Sequence, residues 1–132
     1  YGNRTVEMRQ AARELLQAVA RNEAIALLVD QSAQKDKDVF VDFFGVEALT
    51  YRAPAELALR RRIPILYAFA VRNSDFTYSA ELKELNFSDL EYSKENVVEL
   101  TRRHVKVLEA QIAAHPEFWA WQHRRWKHII KY

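Results

Sequence analysis

Cysteine is absent from this 132-residue chain, so disulfides, thiolate metal sites and cysteine nucleophiles are excluded. That absence is compatible with a reducing compartment. Only two glycines occur, Gly2 and Gly45, so no glycine-rich phosphate loop can be built. Neither sign of charge dominates: 20 basic residues face 18 acidic ones, for a net charge of +2. A dedicated nucleic-acid binder carries a larger basic excess, and nucleic acid is not an expected partner. No run approaches the ~20 apolar residues that span a bilayer, and there is no signal-peptide pattern. His123 and His128 lie five apart, about 140° around a helix, and so do not face a common ion. No metal is expected, and no pattern asks for a cofactor. The start at Tyr1 rather than methionine leads us to expect a piece of a longer protein.

What is present is an apolar fraction of 49%, enough for the core of one modest domain. From Arg4 to Asn22, the spacing of Val6, Met8, Ala11, Ala12, Leu15, Leu16 and Val19 predicts an amphipathic helix. Asn22-Glu23 is its expected stop, because Asn tolerates the left-handed cap position. Ala24–Val29 is almost wholly apolar and reads as a strand covered on both faces. Ser32 to Asp38 reads as a loop. Val39 to Phe44 is β-branched and aromatic, a second extended segment, and Gly45 permits a turn after it.

Pro54 suits the first turn of a short helix over 55–61. That helix ends in Arg60, Arg61 and Arg62, cations that complement its dipole; direct anion binding is the alternative reading of the triplet. Ile63 to Val71 reads as a buried strand, Arg72 to Asp75 as a turn, and Phe76 to Leu82 as a half-buried antiparallel strand at or near a sheet edge. Ser93 is an N-cap for a long helix from Lys94 to Ala114, with Val97, Thr101, Val105, Leu108 and Ile112 as its stripe. Pro116 then opens a final short helix from Glu117 to about Lys127. The whole is an α/β chain, a mixed sheet flanked by helices, without internal repeats.

Three features carry possible chemistry. Asp30 and Gln31 stand at the end of the expected buried strand, where α/β folds meet ligands. His104 and Glu109 have the spacing of the glycerolipid acyltransferase motif, in which histidine takes the proton of an attacking hydroxyl and the carboxylate orients it. Inside a regular helix those side chains point about 140° apart, and neither belongs to the apolar stripe, so the pair reads as a decoy. In PEFWAWQHRRWKHIIKY, Trp119, Trp121 and Trp126 interleave with His123, Arg124, Arg125, Lys127 and Lys131. Aromatics beside cations suit a membrane interface or an anionic headgroup. Inward-packed tryptophans with paired arginines are the equal alternative.

LLVDQ, VFVDFFG, a following threonine, RRIPILYAFAVR and PEFWAWQHRRWK occur in this order. Taken together, the chain resembles the C-terminal half of the bacterial lipid A biosynthesis acyltransferases, the lauroyl/myristoyl transferase family. The resemblance implies a glycerolipid-acyltransferase-like fold, of which residues 1–132 form the C-terminal part of one domain. It implies an enzyme at the cytoplasmic face of the inner membrane. That enzyme transfers a fatty acyl chain from acyl carrier protein, or another donor, to a hydroxyl of an anionic glycolipid acceptor. The family's membrane anchor and catalytic histidine–carboxylate motif are expected upstream of Tyr1, so this stretch alone is expected to be inactive.

By position, the resemblance implies substrate-binding roles for Asp30 and Gln31, for Phe43, Phe44 and Thr50, and for Arg124 and Arg125. Arg4 is a further anion-binding candidate. Exposed apolar strand edges lead us to expect self-association of the fragment. An acceptor such as a mannosylated inositol lipid or an aminolipid fits equally well. A different class of reading is a non-enzymatic module that binds anionic lipid through the Trp/Arg tail.

Overall fold

The computed structural model describes residues 2–7, 10–31 and 33–131. In chain order the elements are α1 (Ala11–Ala20), β1 (Val39–Phe43), β2 (Val46–Thr50), α2 (Ala53–Arg61), β3 (Ile65–Arg72), β4 (Tyr78–Leu85) and α3 (Lys94–Ala114). A 3-10 turn at Pro116–Phe118 follows. β1 pairs with β2, and β3 with β4, each antiparallel. Among the described residues the architecture is therefore two separate hairpins, not the single mixed sheet expected.

Helix α3 is the spine. The Ser93 side chain accepts the Asn96 N–H at 3.0 Å, and so caps the helix. Near its middle, Arg103 grips Asp89 through both terminal nitrogens (2.8 and 2.6 Å) and also pairs with Glu99. The guanidinium holds Asp89 down to about 2. Val97 and Leu100 pack with Ala55, Ala58 and Leu59 of α2 and with Leu85, Phe87 and Leu90. Further along, Val105, Leu108 and Ile112 pack against Val41, Phe43 and Ala48 of the first hairpin, with Trp119 and Trp126 closing the edge. One amphipathic helix thus serves two core clusters.

The first hairpin turns through Phe44 and Gly45, whose φ angles of 53° and 79° are both left-handed. Two such residues make the type I′ turn that matches strand twist. The turn sends the chain straight back as β2, a strand not foreseen from the sequence. Asp38 accepts the backbone N–H of Gln34 (3.0 Å) and of Arg52 (3.1 Å), fixing the loop before β1 to the start of α2. Arg62 caps α2 in the left-handed region and donates to the Leu90 carbonyl at 2.6 Å. Arg60 pairs with Glu56 at 2.9 Å. The arginine triplet thus contains two internal ties.

Several expectations need correction. Ala24–Val29 forms no strand; Leu28 is 97% exposed. A run apolar on both faces needs cover on both, and no described strand pairs with it. α1 begins at Ala11 rather than Arg4, with Met8 outside the described residues, but Asn22 does take the left-handed stop (φ 57°). β3 alternates half-buried with exposed because only one face meets the core, and β4 is exposed along its length except at Leu85. No helix covers 117–127. Bonds such as Lys127 N–H to the Arg124 carbonyl close short turns instead.

A Cβ added at Gly45 would meet nothing within 4 Å, so Gly45→Ala carries only the conformational cost of a left-handed alanine. We expect a loss of about 1 kcal/mol, read as a lower urea midpoint with an unchanged slope. A loss several times larger would contradict the open turn.

Candidate functional site

The polar centre of the molecule lies at the end of β2. Leu49 and Thr50 are buried, and Arg125 enters this interior from the C-terminal turns. It is 1% exposed. Its Nη1 donates to the Leu49 carbonyl at 2.6 Å and its Nη2 to Thr50 Oγ1 at 2.7 Å. The guanidinium stands 5.0 Å from the centre of the Phe43 ring. The Leu49 carbonyl also accepts the Ala33 N–H at 3.3 Å, and Thr50 Oγ1 donates to the Ala48 carbonyl at 3.0 Å. Charge-assisted hydrogen bonds of this kind offset much of what burying a cation costs. Three segments distant in sequence therefore meet at one carbonyl.

Two further titratable groups face this interior. Tyr67 of β3 and His104 of α3 meet edge to face, ring centres 5.6 Å apart. Burial, then the charge of Arg125, pushes His104 down to about 4, so the imidazole is neutral at neutral pH. Burial, then the charge of Asp30, pushes the Tyr67 phenol up. Burial lowers Arg125, and Asp30 opposes that shift. Tyr67 Oη, His104 Nε2 and Arg125 Nε are buried with no hydrogen-bond partner. Buried polar atoms of this kind are uncommon.

Glu109 belongs to a different structure. It accepts the Phe44 backbone N–H at 2.6 Å and the Lys106 ammonium at 2.8 Å, and Lys106 also reaches Asp42 at 2.7 Å. Lys106 and the Gly45 N–H hold the Asp42 carboxyl below its usual range. Glu109 anchors the hairpin turn, while His104 points into the core. The two do not form a dyad, as the helical spacing indicated. The expectation that His104 lies off the apolar stripe is corrected: it follows Val97 by two helical turns and is buried.

The residues singled out from the sequence separate into two groups. Phe43, Thr50 and Arg125 come together in the interior. Gln31, Phe44 and Arg124 lie at the surface, and Asp30 is half-buried between the groups. Arg4 pairs with Glu23 at 2.9 Å, alongside Arg21. Trp119 and Trp126 pack on Phe43, ring centres 5.9 and 5.4 Å away, while Trp121 is 59% exposed and donates to the Pro116 carbonyl at 2.7 Å. The inward reading therefore holds for two of the three tryptophans. Among the described residues no cluster of histidine and carboxylate could hold a metal ion.

The profile of the family described as bacterial lipid A biosynthesis acyltransferase matches residues 1–128. The chain belongs to the lipid A biosynthesis acyltransferase family. No curated protein sequence matches it. The family match runs through both ends of the junction, from the segment before Ala33 to the segment holding Arg125. Within the matched stretch, buried Arg125 ties the C-terminal turns to the end of β2 at Leu49 and Thr50.

Sequence reasoning missed Tyr67, the burial of His104 and the Asp42–Lys106–Glu109 anchor. His104 was recoverable from its place two turns after Val97; Tyr67 was not, because β3 shows which face is inward only once its neighbours are known. For His104, the unfolded chain binds a proton below about pH 6.5 while the folded chain does so only below about pH 4. Stability must therefore fall as pH drops through that window, by up to about 3 kcal/mol. Urea midpoints at pH 7 and pH 4.5 measure this. The gap between them should shrink in His104→Leu, and an unchanged gap would show that other groups carry it.

Proposed function

We propose that this chain is the C-terminal portion of an acyltransferase domain acting on a lipid A precursor or a similar anionic glycolipid. The acyl group comes from acyl carrier protein or another thioester donor. The ester C–O bond forms as the thioester C–S bond breaks, and the proton of the acceptor hydroxyl ends on the released thiol. The observation that carries this reading is the family match over residues 1–128. The reaction belongs at the cytoplasmic face of the inner membrane, on a glycerolipid-acyltransferase-like fold.

Within that reading, His104 is not the base. It is buried, neutral and separated from Glu109, which is committed to Lys106 and Phe44. The acceptor side is assigned to the outward-facing residues, Gln31, Phe44 and Arg124, with the interior set behind them. A second reading, a non-enzymatic anionic-lipid module, draws on exposed Trp121 and the neighbouring tail cations. Packing of Trp119, Trp126 and Arg125 into the interior leaves that module a smaller face than the sequence offered.

The test is acyl transfer by the protein expressed from its full reading frame, with acyl carrier protein thioester and a lipid A precursor, followed by mass spectrometry. The expected product gains one acyl chain, and His104→Leu keeps the activity of any enzyme that stays folded. Absence of acylated product with every donor, together with salt-sensitive binding to anionic vesicles, would overturn the enzyme reading in favour of the lipid-binding module.

A further inference from the structure

The second hairpin has an open edge. Among the described residues, β4 pairs with β3 on one side and with no strand on the other. Its register with β3 is unbroken, from Tyr78 opposite Arg72 to Leu85 opposite Ile65, so neither a bulge nor a proline blunts it. All of β4 except Leu85 is exposed. Such an edge offers its free backbone donors and acceptors to a further strand. Residues opposite one another share a face. Leu82 and Ala80 therefore lie with Ala68 and Ala70 on the outer face, where Leu82 is 68% exposed. Glu81 and Lys83 lie on the other face, opposite Phe69 and Tyr67. The core reaches Phe69 and Tyr67 but leaves both charges in solvent.

Those charges decide what can pair there. YSAELKEL is self-complementary about Leu82. In an antiparallel register with a second copy of itself, related by a two-fold axis through Leu82, Glu81 of each strand stands opposite Lys83 of the other. Leu82 then meets Leu82, and Ser79 meets Leu85. Opposite charges and apolar residues facing each other favour such a ladder. Moving the axis by one residue sets Glu81 against Glu81, or Lys83 against Lys83, and like charges directly opposite disfavour it. A lysine on an edge deters a strand that brings nothing to pair with it; here Glu81 of the second copy does so. The far edge of β3 selects no register, because its one charge, Arg72, stands at the strand's end.

We propose that the occupant of the β4 edge is a second copy of this chain, the two β4 strands pairing antiparallel about Leu82 to join both hairpins into one sheet. The interface is isologous and closes on itself. Leu82 of both copies lies at the axis on the outer face, flanked by Ala68, and the Glu81–Lys83 pairs lie on the other face. The pairing is independent of the acyltransferase reading.

The experiment is sedimentation velocity of the chain over a dilution series, with amide hydrogen exchange read along β4. The parent should dimerise reversibly, and β4 exchange should slow as the dimer fills. Glu81→Lys and Lys83→Glu each place like charges opposite one another twice per dimer, and each should weaken association at least about tenfold. Both positions are exposed, so urea midpoints measured on the dilute monomer should stay at the parent value. Mixing the two variants should restore association as a heterodimer, since both cross-strand pairs then have opposite sign. A monomer at every concentration, or variants that associate as the parent does, would overturn the proposal. Slow β4 exchange in a monomer would assign the edge to another strand of the same protein and overturn it too. So would open-ended assembly, which a closed two-fold contact does not allow.

Discussion

A guanidinium buried at the end of a strand is the constraint on which the rest of this structure depends. Arg125 cannot be neutralised by losing its proton, so the chain has to surround it with acceptors. It does so with the Leu49 carbonyl, the Thr50 hydroxyl and the face of the Phe43 ring. Each of those groups is in place only if β1 and β2 form a tight hairpin, and the hairpin is tight only because Phe44 and Gly45 take left-handed conformations. α3 completes the arrangement from below. It supplies Val105, Leu108 and Ile112 as the floor, and Glu109 with Lys106 as the clamp on the turn. The C-terminal turns deliver Arg125 and Trp126, neighbours in sequence, to one interior.

This arrangement divides the residues singled out from the sequence into an interior group and a surface group. In membership of the lipid A biosynthesis acyltransferase family, the phrases that make the chain recognisable divide by depth. Phe43, Thr50 and Arg125 are internal, and their substitution acts first on the geometry of the hairpin. Gln31, Phe44 and Arg124 are at the surface. A histidine and a carboxylate at the family's motif spacing illustrate the same division. On α3 that spacing turns His104 to the core and Glu109 to a backbone amide, and the chemistry of a dyad is absent from both.

Legibility in the sequence followed locality. α3 was readable to the residue, because a serine cap and a helical stripe are encoded within the segment itself, and α2 was readable from its proline and terminal arginines. Between α1 and α2 two strands were expected and two are found, but the strand expected at Ala24–Val29 is absent and β2, after β1, was not expected; the helix expected over 117–127 is absent too. That exchange has a physical cause. β2 is specified by a turn of two left-handed residues, and only one of them is a glycine, so the signal at Phe44 was hidden. Ala24–Val29 has strand composition but would need neighbours on both edges and both faces, and composition does not say whether they exist. The site was less legible still. Arg125 as an internal tie depends on where the tail passes relative to Leu49, a contact between residues far apart in the chain.

Nuclear magnetic resonance of the Arg125 side chain tests the central claim most directly. Its Nε–H is expected to exchange slowly with solvent and to keep its resonance position when anionic lipid headgroup is titrated into the protein. Rapid exchange, or a resonance that shifts in proportion to added headgroup, would contradict the account and return Arg125 to the surface as a ligand of the substrate.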